Sequence, residues 1–95
     1  MAEPKHVEGK NKGKVMMYTL STCIWCKKTK NLLKDMGVDY KYIDVDLLEG
    51  EERKEAMEQL KKHNPEGGFP TMVIDDDICI VGFDKAKIDE RLGED

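Results

Sequence analysis

The sequence predicts an α/β domain with the element order β-α-β-α-β-β-α, and three observations carry that reading. An apolar run, Val15-Met16-Met17-Tyr18-Thr19-Leu20, gives way at two cysteines to a segment with helical periodicity. After that helix, Tyr40-Lys41-Tyr42-Ile43-Asp44-Val45 alternates and suits a second strand, parallel to the first across a helical crossover. Two short apolar runs, Thr71 to Ile74 and Ile78 to Val81, flank Asp75-Asp76-Asp77 and read as a hairpin.

Taken in order, residues 1–13 carry scattered charges, two glycines and a proline with no apolar period, and are expected to form a disordered tail. The folded domain is expected to span 14–95. Its first strand is apolar on both faces, as a strand covered on both sides must be. Ser21 and Thr22 place hydroxyls where the first helix should start. From Ile24 to Met36, Cys26, Thr29, Leu33 and Met36 with Leu32 form one apolar face, lysines occupy the other, and Gly37 stops the helix. Glu51 to His63 forms a charged helix with only Ala56, Met57 and Leu60 as an apolar stripe, so it should lie on the sheet surface. Asn64-Pro65-Glu66-Gly67-Gly68 breaks that helix. Asp84 is placed to cap a last helix from Lys85 to Leu92, whose Ile88 and Leu92 face inward together.

Ninety-five residues suit one small domain. A net charge of -4 argues against a nucleic-acid footprint, which needs clustered positive charge. No stretch approaches the roughly 18 apolar residues of a membrane span, and the N-terminus lacks the apolar core of a signal peptide. A cytoplasmic monomer without nucleic-acid or membrane partners is the expectation. Three cysteines cannot all pair within one chain, so the Cys23-Ile24-Trp25-Cys26 pair reads as redox or metal chemistry rather than as a structural staple. The acids at 75–77 do not make a calcium loop, because they are consecutive and lack its central glycine and terminal glutamate.

Two cysteines separated by two residues close a small disulfide ring. At a helix start, the first meets unpaired backbone N–H groups that favour the thiolate, the form that attacks disulfides. Lys27, Lys28 and Lys30 add positive charge, though salt screens exposed lysines. Cys23 is therefore the expected nucleophile and Cys26 the deeper, resolving thiol, with Thr22 and Trp25 shaping the rim. Cys79 lies in an apolar run and reads as a small structural hydrophobe.

Three separated pieces, CIWC, Gly68-Phe69-Pro70-Thr71 and Val81-Gly82-Phe83-Asp84, give the chain from Lys14 to Leu92 its resemblance to glutaredoxins, within the thioredoxin-fold superfamily. The resemblance implies a thioredoxin-like, four-stranded mixed sheet flanked by three helices. It also implies a cis peptide before Pro70 and a substrate groove where the three loops meet. It makes Phe69, Pro70, Thr71, Gly82, Phe83 and Asp84 candidate substrate-binding residues, the aspartate through the amino end of glutathione. Pro70 also leaves adjoining backbone free to pair with an extended substrate, because it has no N–H to donate.

The sequence departs from the family where glutathione would bind. Leu20 stands where dithiol members usually carry a lysine, Ile24-Trp25 replaces Pro-Tyr, Phe69 replaces valine, and Val81 replaces the first of two glycines, which is expected to narrow the groove. The Gly82-Phe83 pair also resembles NrdH-redoxins, which thioredoxin reductase reduces and which feed ribonucleotide reductase. The resemblance thus implies a dithiol-disulfide oxidoreductase with no tightly bound cofactor. Its substrates would be protein or small-molecule disulfides, ribonucleotide reductase among them, and its electrons would come from glutathione, another low-molecular-weight thiol or a thioredoxin-reductase-type enzyme. The alternative is an iron–sulfur or metal-binding module. One CxxC supplies only two of about four ligands, and Cys79, His63 and His6 are poor further candidates. A cluster bridged between two chains through Cys23 and glutathione, as in some glutaredoxins, is the form that reading takes.

Overall fold

The computed structural model describes residues 3–93; the ends of the expected tail and domain, 1–2 and 94–95, lie outside it. The elements are β1 (Lys5–Val7), β2 (Val15–Thr19), α1 (Ile24–Asp35), β3 (Tyr40–Asp44), a short 3-10 turn (Val45–Leu47), α2 (Gly50–His63), β4 (Thr71–Ile74), β5 (Ile78–Val81) and α3 (Lys85–Leu92). From β2 onward this is the expected order. β2 and β3 run parallel across α1, while β4 pairs antiparallel with both β2 and β5. The sheet order is β1-β3-β2-β4-β5, so β2 lies at its centre.

The sheet has five strands rather than four, because part of the segment read as a disordered tail forms β1. Its apolar content is slight, and polar contacts hold it instead. Lys5, His6 and Val7 pair antiparallel with Tyr42, Lys41 and Tyr40. His6 Nε2 lies 2.8 Å from Asp39 Oδ1, which also accepts the Gly9 N–H at 3.1 Å. Lys10 then exchanges backbone bonds with Gly37 and Asp39. The chain passes so close that a Cβ on Gly9 would lie 2.6 Å from the Gly37 carbonyl oxygen, which explains the glycine. None of this leaves an apolar period in the sequence.

Alternation along the strands divides the core in two. Val15, Met17, Met72, Ile74 and Ile80 pack with Leu33 of α1 and with Ile88 and Leu92 of α3. Tyr18 and Val73 face the other way, onto Ala56 and Leu60 of α2. Each fully buried leucine contributes about 1.5–3 kcal/mol relative to exposure, so Leu33 and Leu60 are what fix α1 and α2 on their faces. The hairpin turn uses Asp75 and Asp76 at φ 55° and 56°, a left-handed pair that aspartate tolerates and that matches the twist of the flanking strands. Among the described residues no helix is long and apolar enough to cross a membrane.

Cys79 pairs with Val73 on the edge strand β5 and is half-buried rather than deep in the core. Burial raises its thiol pKa, which leaves little thiolate at neutral pH. The Cys79→Ala variant is expected to keep disulfide-reducing activity and to lose about 1 kcal/mol or less of stability, measured by urea denaturation beside a turnover assay.

Candidate active site

Helix α1 begins at the end of the central strand, and its first residues determine the chemistry. The expected hydroxyl caps do not act as caps. Ser21 instead gives its N–H and its hydroxyl to the Asp46 carboxylate, tying the loop to the segment after β3, and these bonds hold the Asp46 carboxyl below the usual carboxylate range. The N-cap is Cys23 itself, whose sulfur accepts the Cys26 N–H at 3.3 Å. A thiolate therefore does the work a serine oxygen does at other helix starts, and it profits from the same unpaired donors.

The two thiols are electrostatically opposite. At Cys23 partial desolvation raises the pKa, but donation from the Cys26 thiol, the Cys26 and Trp25 N–H groups and the Lys30 charge outweigh it, and the net shift is downward. Cys26 has no exposed surface. Its desolvation, its hydrogen bond to Cys23 and repulsion from that sulfur push its pKa up to about 12, against smaller opposing effects from the Leu20 backbone and Lys30. The arrangement is one half-exposed thiol that ionises readily beside a buried one that stays protonated at neutral pH.

Lys30 is not the exposed lysine that the sequence suggested. Its ammonium sits 2.9 Å from Asp44 Oδ1 and 4.0 Å from the centre of the Tyr42 ring, and both members of the ion pair are mostly buried. The Thr19 hydroxyl donates to the same Asp44 oxygen. Lys30 stands four residues after Cys26, hence on the same helix face. This Thr19-Asp44-Lys30 set was missed in the sequence. Its only trace there is that Thr19 and Asp44 each stand one residue before the end of two runs read as neighbouring strands, and the register pairs them directly.

The other expected site residues separate into a cleft and its supports. Trp25, Phe69, Pro70, Gly82 and Phe83 line an open cleft of about 250 Å³. The Phe69-Pro70 peptide is cis, as the resemblance implied. Gly82 donates its N–H to the Pro70 carbonyl at 2.8 Å and holds φ at 78°, a backbone state that favours glycine, so the two loops are latched together without a side chain between them. Trp25 and Phe83 lie with ring centroids 5.9 Å apart, and the Lys28 ammonium sits 4.6 Å from the centre of the indole.

Thr71 is fully buried, with its hydroxyl donating to the Gly68 carbonyl and accepting from the Asn64 amide, so it fixes the proline loop and does not face the cleft. Asp84 caps α3 by accepting the Lys87 N–H at 3.1 Å. Thr22 is exposed in the loop before Cys23. Val81, expected to narrow the groove, is 54% exposed and forms no part of the cleft wall. No group of three or more His, Cys, Asp or Glu side chains gathers as a metal-ligand set among the described residues.

Comparison with known proteins bears directly on this geometry. The glutaredoxin family model matches residues 15–79, from the central strand through the hairpin. The chain belongs to the glutaredoxin family. It is 41% identical over 78 residues to a glutaredoxin-like 8.6 kDa protein in the rubredoxin operon of Clostridium pasteurianum, covering 82% of this chain and 96% of that one. In structure it is similar to the glutaredoxin from Methanosarcina mazei, at TM-score 0.89 and 53% identity over 98% of this chain and 90% of that one. It is also similar to methanoredoxin from Methanosarcina acetivorans, at 0.87 and 52% over 90% of each chain. The fold is thus thioredoxin-like, with three helices on a mixed sheet, and the protein is a glutaredoxin-family redox protein.

Proposed function

We propose that the protein is a dithiol-disulfide oxidoreductase that reduces protein disulfides through Cys23 and Cys26. The observation that carries this reading is the opposed ionisation of the two thiols, with Cys23 lowered and half-exposed and Cys26 buried near pKa 12. The Cys23 thiolate attacks a substrate disulfide, forms one mixed disulfide and expels the other substrate sulfur as a thiol. Cys26 then attacks the Cys23 sulfur, releases the second substrate thiol and leaves the Cys23–Cys26 disulfide. Two electrons pass to the substrate; of the two protons its thiols gain, one comes from Cys26 and the other, which Cys23 gave up on ionising, comes back from solvent. Cys26 loses its proton only at this second step, when bonding has removed the negative charge from its neighbour.

A separate thiol or reductase restores the dithiol, and we propose that a dedicated reductase serves better than glutathione. Leu20 cannot supply the cation that family members use for the glutathione carboxylate. Loss of one exposed charge contact costs about 0.2–1 kcal/mol, so the expected handicap is less than tenfold. The exposed position of Val81 adds nothing to it.

The test is to measure the potential of the Cys23–Cys26 couple and then turnover with glutathione and with a thioredoxin-type reductase. A potential nearer the thioredoxin value of about -270 mV, with faster turnover on the reductase, is the expected result. A potential near about -200 mV with efficient glutathione-dependent turnover would restore an ordinary glutathione-linked glutaredoxin.

A further inference from the structure

The exposed large apolar side chains are not scattered over the surface. Among the described residues they are Ile24, Trp25, Leu47, Val81 and Phe83, between 37% and 63% exposed. Ile24 and Trp25 follow β2, Leu47 follows β3, and Val81 and Phe83 lie at and just beyond the end of β5. Since β3 runs parallel to β2, and β5 is antiparallel to an antiparallel neighbour of β2, all five sit at one end of the molecule. That end carries Cys23. A one-ended concentration of apolar surface marks an interaction face more than solvent-tolerant scatter does.

Within it, the Trp25-Phe69-Phe83 cleft has a specific capacity. Its volume of about 250 Å³ is below the usual range for whole small-molecule ligands and fits one large side chain. Its walls are aromatic, its Gly82 contributes no side chain, and the Lys28 ammonium already occupies the neighbourhood of the Trp25 ring. Glutathione, with two carboxylates and an ammonium outside its thiol, has no large apolar side chain to fill it. A polypeptide disulfide does, because the chain on either side of the attacked cysteine must pass within reach of Trp25, two residues from the Cys23 sulfur.

We infer that the preferred substrate is a protein disulfide whose attacked cysteine is flanked by an aromatic or large aliphatic residue, which seats in the Trp25-Phe69-Phe83 cleft. This rests on the oxidoreductase reading and deepens it. Trp25, which lines the cleft, stands two residues after Cys23, so an occupant that is part of the substrate arrives and leaves with each turnover, whereas a second copy of the chain would have to leave before each attack. The flanking residue acts in the attack itself, by holding the substrate sulfur in line with the Cys23 thiolate.

The fully reduced protein is mixed in single turnover with symmetrical disulfides of short capped peptides that differ only beside the cysteine, phenylalanine against serine, on either side. Each rate is divided by that for dithiothreitol with the same peptide, which removes intrinsic disulfide reactivity. The phenylalanine peptide in the better orientation is expected to react about tenfold faster, the low end for filling an apolar pocket. Phe83→Ser is expected to bring that ratio towards one. Equal rates for the two peptides, or a ratio untouched by Phe83→Ser, would overturn the inference while leaving the oxidoreductase standing. No reaction with any peptide would overturn both. A dimer by light scattering that slows all peptides alike on concentration would give the face to a second copy and overturn the inference as well.

Discussion

Cys23→Ser is expected to abolish disulfide reduction, with a loss on the order of a thousandfold or more, while Cys26→Ser retains the first attack and accumulates a mixed disulfide. Serine at position 23 keeps the N-cap hydrogen bond from the Cys26 N–H, so the helix start should survive and the loss is chemical. Position 26 separates two roles. Its thiol donates to the Cys23 sulfur and lowers that pKa, and in the proposed mechanism it is also the resolving nucleophile. A serine hydroxyl preserves the first role and removes the second. Cys26→Ala removes both, so its Cys23 should ionise at higher pH than in Cys26→Ser. Mass spectrometry of the trapped adduct, with thiol titration of the two variants, checks each half. A stable adduct on Cys26 alone would reverse the assignment of nucleophile and resolver.

The parts of this molecule that the sequence made legible are those written in local pattern. Helix α3 follows from Asp84 and the Ile88–Leu92 spacing, and its cap is the one expected. The place of Cys23 and Cys26 follows from a strand running into a helix, where the structure has them. What could not be read depends on pairs far apart in the chain. Strand β1 is held by its pairing with β3 and by His6 to Asp39, and the chain just after it by backbone bonds of Lys10 to Gly37 and Asp39, so its order is a property of two segments, and the first alone reads as a tail.

Ser21 departs from its expected role for the same reason. Locally it is a good helix cap, but Asp46, 25 residues away, offers a charged acceptor for both its N–H and its hydroxyl, and a charge-assisted bond outcompetes a neutral one. Lys30 illustrates the reverse error. Helical spacing put it on the lysine-rich side, and only the parallel register that brings Asp44 beside Thr19 gives it a partner and a buried place. Thr71 belongs to the right loop but points inward, because the buried Asn64 needs an acceptor there.

Alkylation of the reduced protein at pH 7 is expected to label Cys23 at least about a hundredfold faster than Cys26. An ordinary thiol is a few per cent thiolate at this pH, and the lowered pKa of Cys23 gives it more. Cys26, near pKa 12, is ionised in about one molecule in 10⁵. The thiolate fractions therefore differ by more than about a thousandfold. A less basic thiolate is intrinsically less nucleophilic, with a Brønsted slope of about 0.4–0.5, which returns between one and two powers of ten and leaves roughly a hundredfold before burial protects Cys26 further.

The sign of the pH dependence follows from the two shifts. As pH falls through the lowered Cys23 pKa its thiolate is protonated and labelling slows. Above that pKa the Cys23 rate levels off while the Cys26 rate continues to rise, so the selectivity shrinks in alkali. Lys30 favours both thiolates, so Lys30→Met combined with Asp44→Asn, which avoids leaving a lone buried charge, should move both profiles to higher pH. Site-resolved mass spectrometry of iodoacetamide labelling across pH gives all of these curves. Equal rates at the two cysteines at pH 7 would mean that their environments do not separate nucleophile from resolver, and an unmoved Cys23 profile in the double variant would remove Lys30 from the site.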